Sequence, residues 1–170
     1  QKEYPTKVNL GKKRRQNWDI AVIKKPDDND QSSYDYLALS AIVEFGMNEG
    51  LDHLIDDFLR VSHPEANAEH RYIVHLYRLS AASNQTSGRD WSANARDIKQ
   101  IEETKQLLEK MSAGDASILT DERIAKVLNT RPHEKQTDCN PITVYLAIAD
   151  STDNKNKIMK FWGGTMSNLL

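Results

Sequence analysis

Residues 72–80 constrain this chain most. An apolar run, Tyr72-Ile73-Val74-His75-Leu76, passes into Leu76-Tyr77-Arg78-Leu79-Ser80 and then into a polar tail from Ala81 to Gly88. The run has to be buried, and the spacing around it predicts a helix over 66–82. Glu65 and Glu69 would stand at the positive end of its dipole. That helix would hold Arg78 near its end, beside a polar loop, where a guanidinium is well placed to grip an anion. Arg71 lies seven residues earlier, two helical turns away, on the same face, and Arg89 follows the loop.

Helical spacing recurs on either side. Tyr36, Leu37, Leu39, Ile42, Val43, Phe45 and Met47 fall near a 3.6-residue period after Ser32 and Ser33 as caps, with Gly50 closing the segment. Leu51, Leu54, Ile55, Phe58 and Leu59 mark a second helix that ends before Pro64. Further helices are expected over 91–111, from about Thr120 through Leu128, over 141–148 behind an Asn140-Pro141 start, and around Ile158 to Trp162 before Gly163-Gly164. Trp18 to Ile23 is short and β-branched, and reads as an isolated strand. The expected fold class is therefore all-α: a multi-helix domain over 18–170, divisible into lobes 18–112 and 113–170. A basic arm of residues 1–17 precedes it, and the one minor β element lies near Trp18.

Charge is segregated along the chain. Residues 1–25 carry a balance of +6, residues 26–70 of −10 and residues 71–170 of +2. The arm's Lys12-Lys13-Arg14-Arg15, followed by Lys24 and Lys25, suits a polyanion, because each neutralised phosphate releases counterions. Such contacts position a nucleic acid without reading its sequence. The same arm would suit the acidic segment of a neighbouring copy.

Several chemistries lack their motifs. No phosphate-binding glycine loop, no Gly-x-Ser-x-Gly elbow and no His-Glu-x-x-His helix occurs. Cys139 stands alone, which excludes an internal disulfide and points to an intracellular, reducing setting. One Cys with five scattered His argues against a structural zinc, and no cofactor or metal is expected. Cys139 with His133 lacks a third, orienting group. Asp56-Asp57 and Asp27-Asp28 have a cation-binding reading, but the ordinary reading of such pairs is a solvated face. No apolar run approaches the roughly 20 residues of a membrane span, and the first twenty residues do not read as a signal peptide. The expectation is a protein that is not an enzyme.

Five short segments resemble rhabdovirus nucleoproteins. Leu76-Tyr77-Arg78 is similar to a Leu-Tyr-Arg segment of their N-terminal lobe, and Ser83 to Gly88 resembles the lyssavirus loop that follows it. Glu3-Tyr4-Pro5 and Asn17-Trp18 with Ile20 to Lys25 resemble two upstream elements in the same order, and Phe161-Trp162-Gly163 resembles a segment of the vesiculovirus C-terminal lobe. The matches cover about a fifth of the chain. The resemblance implies a helical protein that sheathes genomic single-stranded RNA between two lobes as a ribonucleoprotein. It also implies a homo-oligomer built through exchanged arms, a viral phosphoprotein as partner, and a place in host cytoplasm or virion. Arg78 would match an arginine that touches the RNA backbone.

The functional expectation is accordingly a non-enzymatic, self-assembling, single-stranded RNA-binding protein that contacts phosphates through Arg71, Arg78, Arg89, Lys12, Lys13, Arg14, Arg15, Lys24 and Lys25. One alternative is a helix-turn-helix-like DNA-binding regulator using residues 120–148. In that reading Thr120 to Asn129 is the first helix and Pro141 to Tyr145 starts the recognition helix, although the eleven residues between are too many for the tight turn. The other alternative is a helical protein–protein interaction module.

Overall fold

The computed structural model describes residues 4–8, 10–11, 16–24, 39–47, 49–79, 95–130, 141–150 and 157–166. Its centre is a five-stranded mixed sheet, so the all-α expectation is corrected to α/β. In chain order the elements are β1 (Tyr4–Pro5), β2 (Asn17–Trp18), β3 (Ile20–Ile23), β4 (Leu39–Met47), α1 (Leu51–Ser62), β5 (Ala68–Leu79), α2 (Ala95–Ser112), α3 (Glu122–Thr130), β6 (Ile142–Asp150) and β7 (Lys157–Met166). Two 3-10 turns, Pro64–Ala66 and Ala116–Thr120, lead into β5 and α3.

The sheet runs β3-β4-β5-β6-β7. Its three central strands are parallel and its two outer strands antiparallel to their neighbours. Parallel neighbours need a crossover. Helix α1 supplies it between β4 and β5, and α2 with α3 lies between β5 and β6 in the chain.

The physical reason for the correction lies in this topology. Central parallel strands are apolar on both faces and show no two-residue alternation. In β4 the apolar positions 39, 42, 43, 45 and 47 then imitate a helical period. The β-branched runs Ile42-Val43, Ile73-Val74 and Ile142-Thr143-Val144 carry the strand preference that the spacing hides. The segments expected as helices over 36–47, 66–82, 141–148 and 158–162 are β4, β5, β6 and β7 wherever they are described. Strand β6 removes the second helix of the helix-turn-helix reading. Helices α1, α2 and α3 match the expected ones closely.

One face of the sheet is covered. Ile42, Arg71 and Ile142 stand in register across β4, β5 and β6, as do Glu44, Ile73 and Val144, and Gly46, His75 and Leu146. All nine are buried. Against them α1 presents Leu51, Leu54, Ile55, Phe58 and Leu59 at helical spacing, and α2 and α3 add Leu107, Leu108, Met111, Ile124 and Val127 to the same core. Asp52 favours the positive end of α1, and Pro64 bars its continuation. Helix α2 is closed by Gly114 just beyond its end, whose φ of +71° is the left-handed cap conformation, with Asp115 N donating to Lys110 O at 3.0 Å.

Part of the arm belongs to this core. β1 pairs with β2, Thr6 N donates to Gln16 O at 3.1 Å, and Val8 and Leu10 are buried. Lys12 to Arg15 lie outside the described residues. Among the described residues no helix is long and apolar enough to cross a membrane.

Candidate functional site

Six ionisable side chains, spread over 57 positions of sequence, meet between α1 and the covered face of the sheet. Asp19 stands before β3, Glu44 on β4, His53, Asp57 and Arg60 on α1, and His75 on β5. The antiparallel register of β3 and β4 sets Ile20 opposite Val43, so Asp19 arrives beside Glu44. Asp19 Oδ2 is fixed there by accepting from Phe45 N at 2.7 Å. Glu44 and His75 both sit in the carboxyl halves of parallel strands, the end at which open α/β sheets bind their ligands.

Arg60 organises the buried side. Its Nη1 lies 3.1 Å from Glu44 Oε2 and its Nη2 2.9 Å from Glu44 Oε1, a two-pronged grip. Nη2 also donates to Asn17 O at 2.6 Å, and the guanidinium lies 5.2 Å from the centre of the Trp18 ring. Asp57 Oδ2 is 3.0 Å from His75 Nε2 and 3.9 Å from His53 Nε2. Gly46 makes room for His75: a Cβ at position 46 would stand 2.5 Å from the imidazole Cε1.

The electrostatics are unbalanced. Three carboxyl groups face one guanidinium and two imidazoles. Burial pushes the Glu44 carboxyl up to about 8. Arg60 opposes that rise, while Asp57 and Asp19 reinforce it, Asp19 also through a hydrogen bond to Glu44. Buried and hydrogen-bonded to Asp19, the Glu44 carboxyl thus favours its protonated form at neutral pH. His75 is 1% exposed, and its Nδ1 has no hydrogen-bond partner among the described residues. Solvent reaches the cluster at half-buried Asp19 and at His53, whose side chain is 42% exposed.

Of the expected phosphate-binding residues, Arg71 and Lys24 have described side chains, and neither belongs to this cluster. Arg71 is buried on the covered face, where Nη1 donates to Val61 O at 2.8 Å and Nε to Ala68 O at 3.3 Å. It therefore ties β5 to the end of α1. Arg78 belongs to β5, not to a helix end, and its side chain is outside the described residues, as are Arg89, Lys12, Lys13, Arg14, Arg15 and Lys25. Lys24 pairs with Glu69 at the surface. Asp56 and Asp57, read from sequence as solvated, are 7% and 2% exposed. Their signal was a charged pair set between Leu54-Ile55 and Phe58-Leu59, as Glu44 was a charge set between Val43 and Phe45.

Among the described residues no group of three or more His, Cys, Asp or Glu side chains surrounds one point as metal ligands. Asp19 and Glu44 bring two carboxyl groups together, with a side-chain hydrogen bond between them. Two carboxylates suit magnesium, which keeps most of its waters and completes its shell with substrate phosphate. No family model, no curated protein and no solved structure matches this chain.

Proposed function

We propose that this chain hydrolyses phosphodiester bonds in nucleic acid, with a magnesium-type cation held by Asp19 and Glu44. The observation that carries the reading is the hydrogen bond between those two carboxyls, Asp19 just before β3 and Glu44 on β4, at a point open to solvent through Asp19. A divalent cation there would polarise a phosphoryl oxygen and steady the attacking water. Arg60 holds Glu44 from behind and fixes its orientation. The basic run Lys12 to Arg15 favours a polyanionic substrate and contributes no sequence preference.

The test is end-labelled single-stranded RNA, single-stranded DNA and duplex DNA, each incubated with magnesium, manganese or a chelator. Cation-dependent cleavage that Glu44→Gln abolishes is the expected result. A second reading rests on the +6 balance of residues 1–25 and on the nucleoprotein resemblance: single-stranded RNA held by its backbone without cleavage, with self-assembly. Retained RNA binding, unaffected by Glu44→Gln and with no cleavage under any cation, would favour it.

A further inference from the structure

We infer that the sheet face turned away from α1 binds single-stranded nucleic acid by stacking its bases on Phe45, Tyr72 and Tyr145. Helices α1, α2 and α3 all pack into the core on the other face. On the outer face two rows of side chains stand in register across β4, β5 and β6. Val43, Tyr72 and Thr143 form one row, and Phe45, Val74 and Tyr145 the next. All six are exposed or half-buried, whereas the alternating rows on the covered face are buried. Phe45 is 48% exposed and Met47, two residues further along β4, 64%. An exposed apolar patch with this much aromatic surface marks an interaction site.

The three rings are staggered. Tyr72 lies on the middle strand, and Phe45 and Tyr145 lie one row on, one strand to either side. Strands stand ~4.8 Å apart and same-face rows ~6.6 Å apart, so Phe45 and Tyr145 each stand about 8 Å from Tyr72, wide enough for a separate base on each ring. β7 places Gly163 opposite Tyr145, a residue with no side chain to fill that side of the row. A sheet face with aromatics on adjacent strands can hold splayed bases, and such stacking tolerates any sequence because every base has a π face. Charge favours the same occupant. None of the six residues in the two rows is acidic, and the basic run Lys12 to Arg15 lies just before β2 and β3, the latter being the edge strand beside β4. That run attracts the phosphates that link the stacked bases. Binding on this face needs neither cleavage nor a cation, so it stands or falls apart from the hydrolytic reading.

Fluorescence anisotropy with labelled oligo-dT, oligo-U and a DNA duplex of the same length, all in chelator, tests this. The wild type should bind both single strands more tightly than the duplex, whose bases are not free to stack. Phe45→Ala and Tyr72→Leu should each weaken single-strand binding by about tenfold, the loss of one stacked base. Phe45→Trp and Tyr72→Phe should retain it. The salt slope should not change in Phe45→Ala or Tyr72→Leu, because no phosphate contact is lost, whereas neutralising Lys12 to Arg15 should reduce it. Phe45 is exposed, and Tyr72→Leu keeps apolar packing, so both variants are expected to fold; urea unfolding checks this. Independently, oligo-U carrying iodouracil should crosslink under ultraviolet light to Phe45, Tyr72 or Tyr145. No single-strand binding by the wild type, equal affinity for the duplex, or single-strand affinity that survives both Phe45→Ala and Tyr72→Leu overturns the assignment. So does a wild-type dimer that Phe45→Ala dissociates and oligo-dT does not, which would give the face to a second copy of the chain.

Discussion

Glu44 links the chemistry of the site to the stability of the molecule. Its folded carboxyl is pushed up to about 8 from an ordinary 4.5, so the folded state binds more protons than the unfolded state between those values. Stability from this group is fully present below about 4.5 and is lost as pH rises through about 8. Urea unfolding in chelator should therefore show the wild type weakening between about pH 5 and about pH 9, by ~1–3 kcal/mol once relaxation is allowed for. Glu44→Gln should be flatter over the same range. A wild type that strengthens with pH would show Glu44 ionised throughout, with Arg60 winning over burial. Arg71 makes a complementary case. Its guanidinium serves two main-chain carbonyls inside the protein, so Arg71→Ala should cost about 2–3 kcal/mol and leave nucleic-acid affinity unchanged. Gly46 has no such partner, only a lack of space. Gly46→Ala should cost about 1–3 kcal/mol, because His75 cannot retreat without giving up Asp57. Most of that loss should vanish when the change is made in a His75→Ala background, a coupling that a double-mutant cycle measures.

At the scale of elements, what was legible depended on how many sides of a segment are apolar. Helices α1, α2 and α3 each bury one stripe, and their periods were plain: Leu51, Leu54, Ile55 and Phe58 in α1, Leu107, Leu108 and Met111 in α2, Ile124 and Val127 in α3. Strands β4 and β5 bury one face but carry apolar residues on the other too, Val43, Phe45 and Met47 in β4 and Tyr72, Val74 and Leu76 in β5, so their patterns read as helix. The site was illegible for the same reason. Its six groups come from four separate segments, and the parallel crossover that joins them was the feature the period concealed. Some of it stood in plain view: Glu44, Asp57 and His75 are charged or titratable residues inside apolar runs, which seldom occur without a partner. The element ends were more readable. Gly114 follows α2 at a φ of +71°, and nothing lies within 4 Å of where its Cβ would stand. Gly114→Ala should cost about 1 kcal/mol through backbone strain alone, visible as a small shift of the urea midpoint with an unchanged slope.

At the scale of the whole molecule, the strand order decides what can fold alone. A division into 18–112 and 113–170 would cut between β5 and β6. Those strands pair in parallel over nine positions, from Arg71 opposite Ile142 to Leu79 opposite Asp150. Removing β6 exposes one whole edge of β5, with its unpaired amides and carbonyls, in the middle of the sheet. It also removes Ile142, Val144 and Leu146, which are fully or almost fully buried in the common core, and takes α3 away from α1. Burial of an aliphatic side chain stabilises by roughly 1.5–3 kcal/mol, so these three residues alone approach the net stability of a domain this size. A fragment ending at residue 112 should therefore show no cooperative unfolding transition in urea, whereas the full chain should show one. A cooperative transition in the fragment, with the slope appropriate to its length, would show that the first lobe carries a sufficient core of its own and that β6 and β7 are an added layer.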